Sequence, residues 1–238
     1  MKPFTEYLQE AELTLEYHDR LNPKLWDDHK LKPEVRTKLL MIARTWAGFA
    51  KIPMNAVKDI VFMGSNANYS YSKYSDIDVH LLLDFETMPH CRKLLEEFYR
   101  NKKKIWGLIH NIKIYGHDVE PYAQDVTESL PKDQGIYSVM HDHWVVNPTK
   151  APVDLSNPLI QQKVNKIADE IDFLISNGVK PEIMDEYKEK LRKMRSAGLQ
   201  KHGEHSIENL AFKELRNLGY LSKMKKYMYS KTDQELSL

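Results

Sequence analysis

A chain of 238 residues, 42% hydrophobic and 29% charged, has room for one large domain or two small ones around an ordinary globular core. Its net charge of +1 gives no global pull toward nucleic acid or an anionic membrane, so any such attraction has to be local. The single cysteine, Cys91, excludes an intramolecular disulfide framework, and no apolar run approaches the ~20 residues of a membrane span. With no apolar leader in Met1-Lys2-Pro3-Phe4-Thr5-Glu6, these features predict a cytoplasmic protein with no membrane partner.

Residues 4–17 predict a short amphipathic helix, followed by a connection through Asn22-Pro23 and Asp27-Asp28. From Pro33, the residues Val35, Leu39, Ile42, Trp46 and Phe49 step by four and three, which is a helix with one buried stripe. Pro33 suits its first turn and Pro53 lies past its end. Residues 57–63 and 76–84 read as strands. A helix is expected over 88–108, with Cys91, Leu94, Leu95, Phe98 and Ile105 inward and Lys102-Lys103-Lys104 outward. Residues 111–122 read as a third strand in which Pro121 marks an edge or the end of pairing. Residues 134–140 and 143–146 read as a hairpin turning at His141-Asp142.

Beyond Asn157 the strand pattern disappears. Ile160, Val164, Ile167, Ile171 and Leu174 predict a helix stopped at Asn177-Gly178. A second spans 181–197 and ends before Gly198, and a third starts at the N-cap Ser206 and buries Leu210, Leu215 and Leu218. The expected organisation is N-terminal helices over 1–54, a mixed α/β core over 55–150 and a helical C-terminal domain over 151–238.

The chemistry concentrates between the first two strands. The apolar run Asp59-Ile60-Val61-Phe62-Met63 feeds into Gly64-Ser65, and ten residues later Asp76-Ile77-Asp78 opens an alternating segment. Successive strand side chains point to opposite faces, so Asp76 and Asp78 share one face while Ile77, Val79, Leu81 and Leu83 take the other. Two neighbouring carboxylates need a counter-charge, and a hard cation such as Mg²⁺ supplies it. Gly64 lets backbone approach a ligand closely, and Ser65 offers a hydroxyl and an N–H to phosphate oxygens.

At these residues the chain resembles the nucleotidyltransferase superfamily of DNA polymerase β type, whose signature is Gly-Ser, a spacer of this length, then Asp-x-Asp on the next strand. The resemblance covers roughly residues 55–125, and the chain is similar on both sides to phage-encoded nucleotidyltransferases, which would put it in the host cytoplasm. It implies an α+β fold: a small mixed β-sheet nucleotidyltransferase core flanked by helices, with a helical C-terminal region. It also implies transfer of a nucleoside monophosphate from a nucleoside triphosphate to a hydroxyl acceptor, with pyrophosphate release. The acceptor class stays open among an RNA 3′ end, a protein hydroxyl, another nucleotide and a small molecule. The implied cofactor is a pair of Mg²⁺ ions, or Mn²⁺ in their place, on three carboxylates.

Asp76 and Asp78 match the paired ligands. Asp118 and Glu120 share a strand face and both qualify as the third, the family's commoner form favouring Asp118. Gly64, Ser65 and Lys73 are the expected nucleotide contacts, with Lys113 as a further neutralising charge and Tyr74 as a stacking ring. The alternative is an inactive protein of the same fold that binds nucleotide or RNA. Length and charge argue against a templated polymerase.

Three further features have plainer readings. His80 shares the carboxylate face and is expected to settle on a local hydrogen bond. His141 and His143 flank a turn. Lys188, Lys190, Arg192, Lys193, Arg195 and Lys201 alternate with acidic residues as a solvated helix face. Arg195 and His202 have a spacing like that of helical ribonucleases, on a helix that Gly198 and Gly203 are expected to break.

Overall fold

The computed structural model describes residues 13–130, 134–150 and 153–237. The chain divides into two units, one of Glu16–Ala151 and the other of Pro152–Leu238 with the chain up to Leu15. Most of the helix expected over 4–17 falls outside the described residues, and residues 13–17 are not helical.

The first unit is α+β. Two short strands, β1 (Trp26–Asp27) and β2 (Lys30–Leu31), form a hairpin ahead of helix α1 (Pro33–Ala50). Strands β3 (Val57–Met63) and β4 (Ile77–Leu83) pair antiparallel, and helix α2 (Arg92–Ile109) follows. The segment expected as one strand over 111–122 is a tight hairpin of β5 (Lys113–Ile114) and β6 (His117–Asp125) turning at Tyr115-Gly116. β7 (Ile136–Ser138) and β8 (His143–Val146) complete a sheet of order β5-β6-β4-β3-β7-β8. Only β4 and β6 run parallel; the other pairs are antiparallel.

Alternation in β4 decides which side of the sheet is core. Ile77, Val79, Leu81 and Leu83 are fully buried, together with Ile60 and Phe62 of β3, against Leu39, Trp46 and Ala50 of α1. Helix α1, placed by the sequence among separate N-terminal helices, therefore shares the sheet's core. The opposite face carries Asp78 and His80, half-buried, beside Val61 and Met63. Pro121 sits inside β6, which continues to Asp125. Past Asp118 that strand has a ladder partner only in β4, so a missing N–H on its open side breaks no pairing.

Helix α2 is rotated from its expected orientation. Leu95, Tyr99 and Trp106 face the core, while Leu94, Phe98 and Ile105 are about half exposed and Cys91 is exposed. The larger rings decide this: Trp106 packs 5.3 Å from Phe49 and Tyr99 6.0 Å from Phe85, burying more surface than Leu94, Phe98 and Ile105 could.

The second unit is helical, with α3 (Pro158–Ser176), α4 (Pro181–His202), α5 (Ile207–Asn217) and α6 (Tyr220–Leu236). Asn157 and Ser206 cap α3 and α5 by accepting from Leu159 N and Asn209 N. α4 does not end at Gly198 but runs through it. Gly198 is buried, and a Cβ there would meet Glu208 Cβ at 2.6 Å and Ser206 Oγ at 2.8 Å, so the glycine serves close packing rather than termination. Lys213 and Glu204 form a nearly dry ion pair at 2.7 Å in the turn between α4 and α5. The Thr14 N–H and hydroxyl bond the Glu214 carboxylate at 3.1 and 2.8 Å.

Candidate active site

Strand β3 delivers the chain to Gly64, whose φ of 85° and ψ of −169° suit only glycine. A short 3₁₀ turn, Ser65–Ala67, follows and reverses the chain toward the loop before β4. Met63 stands opposite Asp78 in the β3–β4 register, which brings the carboxylate strand directly against the Gly-Ser turn. The contact is close: a Cβ on Gly64 would lie 2.2 Å from Asp78 Oδ2. Ser65 Oγ donates to Ser75 Oγ at 2.9 Å, tying the turn to the residue before Asp76.

Asp76 precedes the first ladder residue of β4 and, like Asp78 and His80, is half-buried while Ser75, Ile77 and Val79 are buried. In the parallel β4–β6 ladder Asp78 pairs with Glu120 and His80 with Tyr122. Asp118 and Glu120 lie on this same sheet face by strand alternation. Both are drawn to lysines: Glu120 Oε2 lies 2.8 Å from Lys103 Nζ of α2, and Asp118 Oδ1 lies 2.7 Å from Lys113 Nζ, its register partner in β5. Lys113 is thereby engaged by a carboxylate. Lys73 is exposed at the loop tip with its ammonium 5.0 Å over the Tyr74 ring, which is itself 41% exposed.

The donor chemistry suits a hard divalent cation, since Asp76 and Asp78 present oxygen ligands from one face beside a turn that admits no Cβ. The lysine pairings keep the third donor engaged elsewhere, and among the described residues no group of three or more His, Cys, Asp or Glu side chains is placed to hold a metal ion.

A buried polar cluster, absent from the sequence reading, underlies the turn. Asn66 Nδ2 donates to the carbonyls of Ser75 and Asp76, each at 3.0 Å, and His117 Nδ1 lies 2.7 Å from the Ser75 carbonyl. Asn22 Nδ2 reaches Asn66 Oδ1 at 2.8 Å and His117 Nε2 at 3.1 Å. In the sequence Asn66 stands among Ser65, Asn68 and Ser70, and His117 beside Gly116 and Asp118, so their surroundings mark neither as buried. Nothing in the spacing joins Asn22 to them.

His80 Nδ1 donates to Gln124 Oε1 at 2.7 Å, the local partner expected of it. Burial holds its pKa below the ordinary 6.5, opposed by the Gln124 bond and aided by the Lys103 charge. As pH falls through 6.5, the unfolded chain takes up this proton before the folded one does, so stability declines with falling pH from there down to the depressed value. Denaturant melts between about pH 8 and pH 5 should show this loss, and His80→Gln should reduce it. Identical pH profiles for the two proteins would rule the assignment out.

The remaining sequence features keep plain roles. His141 and His143 sit at the β7–β8 turn with rings 6.1 Å apart. Lys188 pairs with Asp185 at 3.4 Å and Arg192 with Glu189, as on a solvated helix face. Arg195 Nε donates to Asn209 Oδ1 at 2.9 Å, with its guanidinium 4.9 Å over Phe212, so it packs α4 on α5. No helix among the described residues is long and apolar enough to cross a membrane.

No family model matches the chain, and no curated protein matches its sequence. Among solved structures it is similar to the STING-associated CdnE c-di-GMP synthase from Capnocytophaga granulosa, at 16% identity and a TM-score of 0.23, over 88% of this chain and 70% of that one. A likeness at that TM-score carries no functional weight.

Proposed function

We propose that the unit Glu16–Ala151 carries the active site of a metal-dependent nucleotidyltransferase that moves a nucleoside monophosphate from a nucleoside triphosphate to a hydroxyl acceptor. The observation that supports this best is the close approach of Asp78 to Gly64, which sets a carboxylate against the half-buried Gly-Ser turn. In the reaction the acceptor oxygen attacks the α-phosphorus, the bond from that phosphorus to the β-phosphate bridge breaks, and the hydroxyl proton is released as pyrophosphate departs.

In this reading the Gly64-Ser65 turn cradles the triphosphate and Ser65 adds a hydroxyl donor. Lys73, exposed in the loop before β4, contributes positive charge to the outer phosphates. Asp76 and Asp78 would hold the divalent ions, with Glu120 or Asp118 as the further carboxylate donor. Bound Mg²⁺ or Mn²⁺ would supply charge neutralisation at the α-phosphate and leaving group and lower the pKa of the attacking hydroxyl.

Wild type, Asp76→Asn and Asp78→Asn, incubated with labelled nucleoside triphosphates, Mg²⁺ and hydroxyl acceptors, test the reading. Pyrophosphate release is expected to fall about 10²–10³-fold or more in each variant, the scale of losing a principal electrostatic stabiliser. Equal release in all three removes the proposal. A second reading, a protein that binds nucleotide or RNA without turnover, draws on the lysine pairing of both third carboxylates. Calorimetry separates the two: tight nucleotide binding that ignores Mg²⁺, without pyrophosphate release, supports the second.

A further inference from the structure

We infer that Asn66 and His117 are positioning residues for the carboxylate pair, acting through a buried hydrogen-bond network with Asn22; the inference rests on the nucleotidyltransferase reading above. The network joins three segments of the site. Asn66 follows Ser65 in the turn, Ser75 and Asp76 lead into β4, and His117 opens the strand that carries Asp118 and Glu120.

The bonding is complete. Asp76 lies outside the β4 ladder, so its carbonyl and that of Ser75 need other donors, and the two amide hydrogens of Asn66 serve them at 3.0 Å each. Asn66 Oδ1 accepts from Asn22 at 2.8 Å, and Asn66 O accepts from Trp26 Nε1 at 2.7 Å. His117 Nδ1 lies 2.7 Å from the Ser75 carbonyl oxygen, which can only accept, against 3.4 Å from Asn66 Nδ2; the short contact puts the ring hydrogen on Nδ1 and leaves Nε2 to accept from Asn22 at 3.1 Å. Asn22 Oδ1 in turn accepts from Lys24 N at 3.1 Å. Asn66, Asn22 and His117 are 0%, 3% and 5% exposed. In such a setting each broken bond leaves a buried polar atom unpaired, so the arrangement admits few alternatives. On the side of the carboxylates it ends at the Ser75–Asp76 backbone, whose placement sets where the Asp76 side chain starts.

The role is tested by Mn²⁺ affinity, read from electron paramagnetic resonance of the free ion without nucleotide, on wild type, His117→Ala, His117→Gln and Asn22→Ala. Measurements are made well below each protein's melting temperature, with circular dichroism confirming the fold. His117→Ala and Asn22→Ala are expected to weaken Mn²⁺ binding at least about tenfold and to lower kcat for pyrophosphate release more than they raise KM. His117→Gln, keeping an N–H for the Ser75 carbonyl and an acceptor for Asn22, is expected to recover most of the loss. Should His117→Ala fail to fold, Asn22→Ala carries the test, since it touches neither peptide directly. Folded variants that bind Mn²⁺ within twofold of a competent wild type overturn the positioning role. A wild type that binds no Mn²⁺ removes the nucleotidyltransferase reading, and this role with it.

Discussion

Gly64→Ala is expected to abolish pyrophosphate release and to lower the melting temperature by about 5–10 °C, whereas Gly116→Ala lowers the melting temperature by less and leaves activity intact. Both glycines have positive φ, 85° and 92°, so both substitutions carry backbone strain. They differ in what the new methyl group meets. At Gly116 nothing lies within 4 Å, whereas at Gly64 the methyl would stand 2.2 Å from Asp78 Oδ2 and 3.2 Å from its Cγ. Strain of this kind costs about 1–3 kcal/mol per residue. At Gly64 the clash must also be relieved, by moving either the turn or the carboxylate, and each is a proposed part of the site. Calorimetric melting of the two variants beside a pyrophosphate assay separates strain from clash. Full activity in Gly64→Ala would mean that the turn and Asp78 do not act together.

How much of this was legible beforehand follows from where the information sits. The β3–turn–β4 segment could be read because its cues are local: period-two alternation from Ile77 to Leu83, a glycine at the end of an apolar run, and two carboxylates on one face. The boundaries of α1 and α3 were also legible, through Pro33 and the Asn177-Gly178 stop. The orientation of α2 was not. Its sequence offers two stripes, Leu94-Phe98-Ile105 and Leu95-Tyr99-Trp106, and the choice depends on Phe49 and Phe85, residues that only the fold brings alongside. Gly198 misled for a related reason. A glycine inside a helical pattern signals termination by propensity, and only the approach of Ser206 and Glu208 reveals it as a packing position. The polar network under the site was hidden most deeply, because Asn22, Asn66 and His117 lie on three separate elements and meet only through tertiary structure.

On the nucleotidyltransferase reading, the lysines beside the acidic strand bear on the choice of the third carboxylate as well as on packing. Lys103 reaches from α2 to Glu120 and lies 5.4 Å over the Tyr122 ring, while both it and Glu120 keep substantial exposure. Such a pair contributes little to stability, about 0–1 kcal/mol. An ammonium held that weakly can yield to a divalent ion, which interacts with the same carboxylate at twice the charge.

On this basis Glu120→Gln is expected to reduce pyrophosphate release about 10²–10³-fold, and Asp118→Asn to leave it within about threefold of wild type. The register supports the order. Glu120 is the direct ladder partner of Asp78, and adjacent strands stand about 4.8 Å apart, so these two carboxylates would be the nearest pair of donors across the β4–β6 ladder. Asp118 is instead the ladder partner of Lys113 on the outer side and is neutralised there at 2.7 Å. The family's commoner form favoured Asp118, so the two grounds give opposite forecasts. Steady-state assays of both variants over a range of Mn²⁺ concentrations decide between them: the true third ligand should raise the ion concentration needed for half-maximal rate as well as lower the limiting rate. A collapse confined to Asp118→Asn would return the role to that residue. If neither variant loses rate, the site works with Asp76 and Asp78 alone, and the parallel strand supplies scaffold rather than chemistry.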